Sequence, residues 1–243
     1  LIVEDNKELR KVLHELLSSQ YQVFEAENGK TGFEKAVQLI PDIIISDIMM
    51  PEMDGFELCE KCKNHEFIAH VPIVLLTART EDWSKIKGFS TGADAYIGKP
   101  FDIKVLKSQI ANLLNNRQRL MKKFSGVSFS SGNLPSNSVD TSFLLKVNKV
   151  IDKHVSSESL SVNFIAEELG MSVRQLHRKF NGLLDAGPGE YIREYKLKKA
   201  AHVLACDKNI TISELAFNVG FKHATNFASA FKKQFGVSPT EFQ

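Results

Sequence analysis

Five polar residues stand directly behind short apolar runs in the first half of the chain. Glu4 and Asp5 follow Leu1-Ile2-Val3, Asp47 follows Ile43–Ile45 and Ser46, Thr77 follows Val71–Leu76, and Lys99 follows Ala95–Ile97 and Gly98. Three carboxylates brought together repel one another, and a hard divalent cation such as Mg2+ is their natural neutraliser. Mg2+ keeps several waters, which leaves room for a phosphoryl group. An ionised carboxylate can act as a nucleophile and form an acyl phosphate. Such a transfer needs positioning and charge neutralisation above all. Lys99 offers a point charge for phosphate oxygens, and Thr77 a short hydroxyl donor. Taken singly, each is an ordinary loop-end polar residue. Five of them behind four strands are better explained as one site.

The elements that must carry these residues alternate in type. Apolar runs at Leu1–Val3, Val23–Phe24, Ile43–Ile45, Val71–Leu76 and Ala95–Ile97 read as strands. Helical patterns lie between them near Glu8–Ser19, Gly29–Leu39, Phe56–Asn64, Ser84–Thr91 and from Asp102 onward. Strands alternating with helices imply a parallel sheet covered on both faces, and pure Ile/Val/Leu runs suit strands buried on both sides. Right-handed crossovers then give a doubly wound five-stranded sheet, whose ligands sit beyond the carboxyl ends of the strands. That edge is where all five residues fall.

Composition allows two ordinary domains in 243 residues, with 43% hydrophobic and 25% charged residues. Charge divides along the chain. Residues 1–115 carry 13 Lys/Arg against 18 Asp/Glu, residues 116–139 carry 4 against 0, and residues 140–243 carry 14 against 11. An acidic first part and a basic remainder suit separate tasks, with nucleic acid a candidate partner for the second. No run of 18 apolar residues is present and no signal peptide is read, so no membrane contact is expected. The start at Leu1, without Met, reads as a fragment beginning inside its first strand. Three cysteines make no disulfide framework, which suits a cytoplasmic location. Cys59 and Cys62 form a C-x-x-C with His65 and His70 beyond, but one helix turn sharing a face explains them better than zinc.

Residues 1–120 resemble the receiver domain of two-component response regulators. The likeness is carried by Glu4-Asp5-Asn6, by Asp47 with Met49-Met50-Pro51-x-Met53-Asp54-Gly55, by Thr77-Ala78, and by Tyr96-x-x-Lys99-Pro100-Phe101. It implies that Asp47 accepts phosphate from a histidine kinase. It implies that Asp5, Asp47 and the main-chain carbonyl of Met49 bind Mg2+, with Glu4 acting through the ion's water. Thr77 and Lys99 would hold the phosphate, and Tyr96 would follow Thr77 inward as a switch. A cis Lys99–Pro100 bond is often found at this place in the family. No catalytic turnover of another substrate is expected, so the chain reads as a regulator and not an enzyme.

Beyond a Ser/Gly/Asn/Pro stretch at 125–139, helical periodicity dominates. The expected division is a receiver at 1–122, a linker at 123–139 and a helical domain at 140–243. The helical part repeats itself. Ile165-Ala166-x-x-Leu169-Gly170-Met171 matches Leu215-Ala216-x-x-Val219-Gly220-Phe221, and Leu176-x-x-x-Phe180 matches Phe227-x-x-x-Phe231. Each copy has the small turn residue and the apolar locks of a helix-turn-helix. Ser172 and Thr211 are expected N-caps. Outward positions of the first copy carry Arg174, Gln175, Arg178 and Lys179; those of the second carry His223, Thr225, Asn226, Ser229, Lys232 and Lys233. Arg reads guanine and Gln or Asn reads adenine in the major groove, while lysines suit phosphates. Glu190–Cys206 reads as one connecting helix roughly 25 Å long. It would set two recognition helices into successive grooves about 34 Å apart.

Residues 144–243 resemble the AraC-type transcription-factor domain, most closely from Ala216 through Phe231-Lys232-Lys233-x-Phe235-Gly236-Val237-Ser238-Pro239-x-Glu241-Phe242. Leu184–Gly189 is looser than the usual turn of that family, and Gln243 stands where a few basic residues normally follow. Together the two likenesses imply a phosphorylation-controlled transcription regulator binding double-stranded promoter DNA, with a homodimer through the receiver. Receivers followed by AraC-type domains also end hybrid sensor kinases, and this chain reads as such a C-terminal part. The competing readings are a phosphate sink whose helical half binds protein, and a metal-dependent phosphatase. The doubled helix-turn-helix weighs against the first, and the lack of a second general base against the other.

Overall fold

A computed structural model describes residues 1–77, 92–125, 138–157, 159–184, 186–207 and 209–243. The helix expected near Ser84–Thr91, Ala78, and most of the 123–139 linker lie outside the described residues. The chain forms two compact units, residues 1–141 with 181–185, and residues 142–180 with 186–243.

In the first unit the strands are β1 Ile2–Val3, β2 Glu25–Ala26, β3 Ile44–Asp47, β4 Ile73–Thr77 and β5 Ala95–Gly98. They form one parallel sheet in the order β2-β1-β3-β4-β5. The helices are α1 Lys7–Ser18, α2 Gly29–Leu39, α3 Gly55–Asn64 and α4 Ile103–Ser125. All five residues of β4 are buried, as a central strand covered on both faces must be. Its Val74 and Leu76 join Ile2, Leu13, Leu17, Ile45, Ile97, Leu106 and Ile110 in one core, so α1 and α4 cover the same face. Short polar residues open the helices: Asn6 accepts from Glu8 N and Leu9 N, Asn28 from Thr31 N, and Asp54 from Glu57 N. These caps fix where each loop behind a strand ends.

One strand differs from expectation. β2 forms at Glu25–Ala26 and not at the apolar Val23–Phe24. Pairing with β1 decides it: Ile2 lies opposite Glu25 and Val3 opposite Ala26, while Ile2 N donates to Phe24 O at 2.8 Å. The ladder thus includes the Phe24 carbonyl, and the strand lies two residues beyond the apolar pair.

The second unit is helical: α5 Ser138–Lys153, α6 Val162–Glu168, α7 Val173–Leu184, α8 Pro188–Cys206, α9 Ile212–Asn218, α10 Ala224–Phe235 and α11 Pro239–Phe242. Helix thus covers both ends of the expected 123–139 linker, since α4 runs to Ser125 and α5 begins at Ser138. The repeat seen in the sequence is a repeat of bonds. Met171 N donates to Ala166 O and Phe221 N to Ala216 O, both at 2.8 Å, around glycines at φ 65° (Gly170) and φ 73° (Gly220). Those left-handed glycines close the helices in the same C-terminal motif.

Helix α8 touches α5 and both copies, its Tyr191 ring lying 5.2 Å from that of Phe180 in the first copy. Its Tyr191 donates to Asn148 at 2.7 Å, Tyr195 to Asp152 at 2.7 Å, and Lys199 to Asp152 at 2.6 Å, all on α5. On the other side Leu197, Ala200 and Leu204 pack with Leu215, Ala216, Val219, Phe227 and Phe231. Lys196 Nζ donates to Gly220 O at 3.1 Å, in the turn of the second copy. Burial pushes the Lys196 ammonium below its ordinary pKa.

Candidate phosphoryl site and nucleic-acid interface

The acidic site is built by strand ends and the loops after them. Glu4 leaves β1 with its N–H on Ala26 O at 3.1 Å, and is 1% exposed. Asp47 ends β3 opposite Leu76 and is 7% exposed. Its Oδ1 accepts from Ile48 N at 2.8 Å, which leaves Oδ2 to face Lys99. Gly55 N donates to Ile48 O at 2.9 Å, and a Cβ on Gly55 would come within 2.2 Å of Asp47 O. Glycine at 55 therefore lets the start of α3 approach the acceptor's main chain.

Lys99 is the centre of charge. Its Nζ lies 2.9 Å from Glu4 Oε2 and 3.0 Å from Asp47 Oδ2. Burial pushes its pKa down, but the two carboxylates outweigh burial and raise it, so the ammonium stays charged. Burial raises the Glu4 pKa, Asp47 adds to the rise, and Lys99 opposes it. Thr77, 1% exposed, ends β4; its carbonyl accepts from Lys99 N at 2.5 Å. The Lys99–Pro100 peptide is cis. Tyr96 is half-buried in β5 opposite Leu75, and Met49 lies two residues past Asp47 with its side chain 65% exposed.

Ligand oxygens of Glu4, Asp5 and Asp47 can lie within 4.8 Å of one another. Three oxygen donors on a partly buried edge fit a hard cation of the Mg2+ type, and among the described residues the cluster includes no soft ligand. The structure thus brings Glu4, Asp5, Asp47 and Lys99 together and ties Thr77 to Lys99 by main chain. Cys59 and Cys62 are different: both are fully buried on α3, with thiols pushed up to about 12 by burial. His65 sits edge-on to Phe33 and Phe67, at 5.5 and 5.3 Å. These are packing contacts.

In the helical unit, Arg174 is exposed and Arg178 half-exposed on α7, while His223, Thr225, Asn226, Ser229 and Lys232 are exposed at or on α10. Two residues differ from the sequence reading. Lys179 does not face outward: it is fully buried, its Nζ 5.3 Å from the Phe143 ring centroid. It shares a helix face with Leu176 and Leu183, and its long stem tolerates that place. Gln175 is half-buried, and its Oε1 accepts from Ser172 N and Ser172 Oγ, both at 2.9 Å, closing a capping box with Ser172. Exposed His177 was missed, although its spacing of three from Arg174 puts it on the same face.

Residues 1–111 match the family of response regulator receiver domains, and residues 165–243 match a helix-turn-helix domain family. The chain is similar to Histidine kinase P4 of Formosa agariphila, with 40% identity over 244 aligned residues, 100% of this chain and 18% of that one. It is similar to the DNA-binding dual master transcriptional regulator RpaA of Synechocystis, 36% identical over 121 residues, covering 49% of this chain and 50% of that one. Among solved structures, the C-terminal domain of AraT, a response regulator from Geobacillus stearothermophilus, is 30% identical with a TM-score of 0.38, covering 41% of this chain and 81% of that one. The chain thus spans less than a fifth of the first relative's length and half of the second's. Its first segment is a response regulator receiver domain, and residues 165–243 form an AraC-type helix-turn-helix domain. Among the described residues no helix is long and apolar enough to cross a membrane.

Proposed function

We propose that the chain is a phosphorylation-controlled, sequence-specific transcription regulator in which Asp47 takes a phosphoryl group from a histidine kinase. An Asp47 carboxylate oxygen bonds to phosphorus while the phosphorus–nitrogen bond of the donor phosphohistidine breaks, its nitrogen keeping the electron pair. Glu4, Asp5, Asp47 and the Met49 carbonyl would hold Mg2+, which supplies charge neutralisation for the transfer. Lys99 and Thr77 bind the phosphoryl oxygens, and Tyr96 moves with Thr77. Arg174, Gln175, Arg178, His223, Thr225, Asn226, Ser229 and Lys232 meet promoter DNA, with Gln175 turning from its cap to do so. The work is regulatory and cytoplasmic, divided among a receiver at 1–122, a linker at 123–139 and a DNA-binding domain at 140–243, with a homodimer through the receiver. Similarity along the whole chain to a much longer histidine kinase supports a place within such a longer protein, proposed here as the C-terminal part of a hybrid sensor.

One observation carries this reading: Lys99 within 3.0 Å of both Glu4 and Asp47 in a chain whose residues 165–243 match a helix-turn-helix domain. The test is incubation with Mg2+ and a small acyl phosphate, followed by intact-mass measurement and a gel shift on promoter DNA. One phosphoryl group should add to the wild type and none to Asp47→Asn or to chelator-treated protein. Phosphate on Asp47→Asn would refute the acceptor. Equal DNA affinity and equal oligomeric state with and without phosphate would refute the control.

A further inference from the structure

The β1–α1 loop carries two of the three clustered carboxylates, and the structure shows what holds it. Arg10, on the first turns of α1, is only 14% exposed at its side chain. Its Nη1 donates to Glu4 O at 2.5 Å and lies 3.3 Å from Asp5 O, while its Nε lies 3.4 Å from Glu25 Oε2 on β2. The other Glu25 oxygen, Oε1, pairs with His14 Nδ1. Lys35 Nζ bonds the Glu25 carbonyl at 2.5 Å. A planar guanidinium presents its donors in a fixed fork, so it can serve successive carbonyls and a carboxylate in one geometry.

The arrangement matters for Asp5, whose carbonyl lies against Arg10. Its side chain is exposed, and among the described residues no hydrogen bond or ion pair reaches its carboxylate. What fixes the reach of that carboxylate is the main chain that carries it, the side chain itself turning among its rotamers. Beyond Val3 the ladder offers the loop one bond, Glu4 N to Ala26 O. The carbonyls of Glu4 and Asp5 are then left to Arg10.

We propose that Arg10, oriented by Glu25, is a positioning residue that sets the main chain of Glu4 and Asp5 so that their carboxylates meet a divalent cation together with Asp47. This rests on the phosphoryl-site reading above. Groups that orient metal ligands without touching the metal are worth 10–100-fold in affinity in other sites. Arg10→Met keeps the aliphatic stem and removes every donor. Glu25→Gln keeps the shape and removes the charge that holds the guanidinium.

The experiment is a calorimetric titration of Mg2+ into the full chain, with thermal melting recorded alongside. Arg10→Met should weaken Mg2+ binding about tenfold. Glu25→Gln should weaken it less, and the double variant no more than Arg10→Met, because Glu25 acts through Arg10. A folded Arg10→Met with wild-type Mg2+ affinity overturns the inference, as do effects of the two variants that simply add. Should Arg10→Met not fold, Glu25→Gln decides: weaker Mg2+ binding at an unchanged melting temperature supports the role, and unchanged binding overturns it. Wild-type protein that bound no Mg2+ and took no phosphate would sink the site reading itself. Loss confined to the Arg10 and Glu25 variants, with Asp47 still phosphorylated in the wild type, concerns Arg10 alone.

Discussion

The two helix-turn-helix copies share a scaffold and differ on their surface. Both close their first helix on a left-handed glycine with the same pair of bonds, and both bury two apolar anchors four residues apart on the second helix. At matched outward positions the first copy carries Arg174 and Arg178 where the second carries Thr225 and Ser229. The anchors differ too, Leu176 and Phe180 against Phe227 and Phe231. A scaffold repeated under a changed surface puts the shared packing on the anchors and leaves the exposed faces free to differ.

The largest expected effect tests the shared scaffold. Phe227→Ala and Leu176→Ala remove fully buried side chains. Each should cost about 2–5 kcal/mol in urea unfolding, with Phe227 at the upper end. Phe227 touches Phe221 at 5.4 Å and Phe231 at 5.6 Å between ring centroids, so its loss opens an aromatic cluster. Wild-type stability in either variant would mean that the anchors do not hold the copies in the same way.

The surface difference predicts unequal readers. Arg174→Ala should weaken DNA binding by about 1–3 kcal/mol and flatten its dependence on salt. Thr225→Ala, at the matched position, should cost less and leave the salt slope unchanged. Equal losses measured by gel shift across a salt series would break the comparison.

These residues also mark how far the sequence could be read. The acidic site was legible because its residues end strands, and a parallel sheet brings strand ends to one edge whatever the side chains do later. Arg10 was not legible there: it acts on main-chain carbonyls through a contact with Glu25 on another strand, which no local pattern records. Lys179 was read as outward for its charge, although its spacing from Leu176 and Leu183 already placed it inward. Gln175 was read for its chemistry alone, while its position three residues after Ser172 also fits a capping box. Strand β2 was misplaced by two residues because its pairing with β1 falls at Glu25 and Ala26, which no apolar run marks.

A smaller effect sharpens the likeness of the copies at their starts. Ser161 accepts from Phe164 N and Thr211 from Glu214 N, both at 3.2 Å, at the same place before α6 and α9. Ser161→Ala and Thr211→Ala should each cost about 1 kcal/mol in unfolding. Unequal costs would show that one copy's first helix is held mainly by tertiary contacts.

The smallest effect concerns α8, the element both copies share. Burial pushes the Asp152 carboxyl up, but Lys199 and Tyr195 outweigh burial and hold its pKa below the usual carboxylate range. The sign follows from that direction. A carboxyl whose folded pKa lies below its unfolded one contributes stability that is complete above the unfolded value, about pH 4, and is lost as pH falls through the folded value. With Asp152 about half exposed, at 47%, water screens the pair, and the contribution should stay below about 1 kcal/mol. Unfolding of Asp152→Asn at neutral pH should therefore show a small loss that vanishes on acidification. Should that loss persist unchanged below the range where Asp152 protonates, the ion pair is not what joins α8 to α5, and the packing of Tyr191 and its bond to Asn148 carry the connection instead.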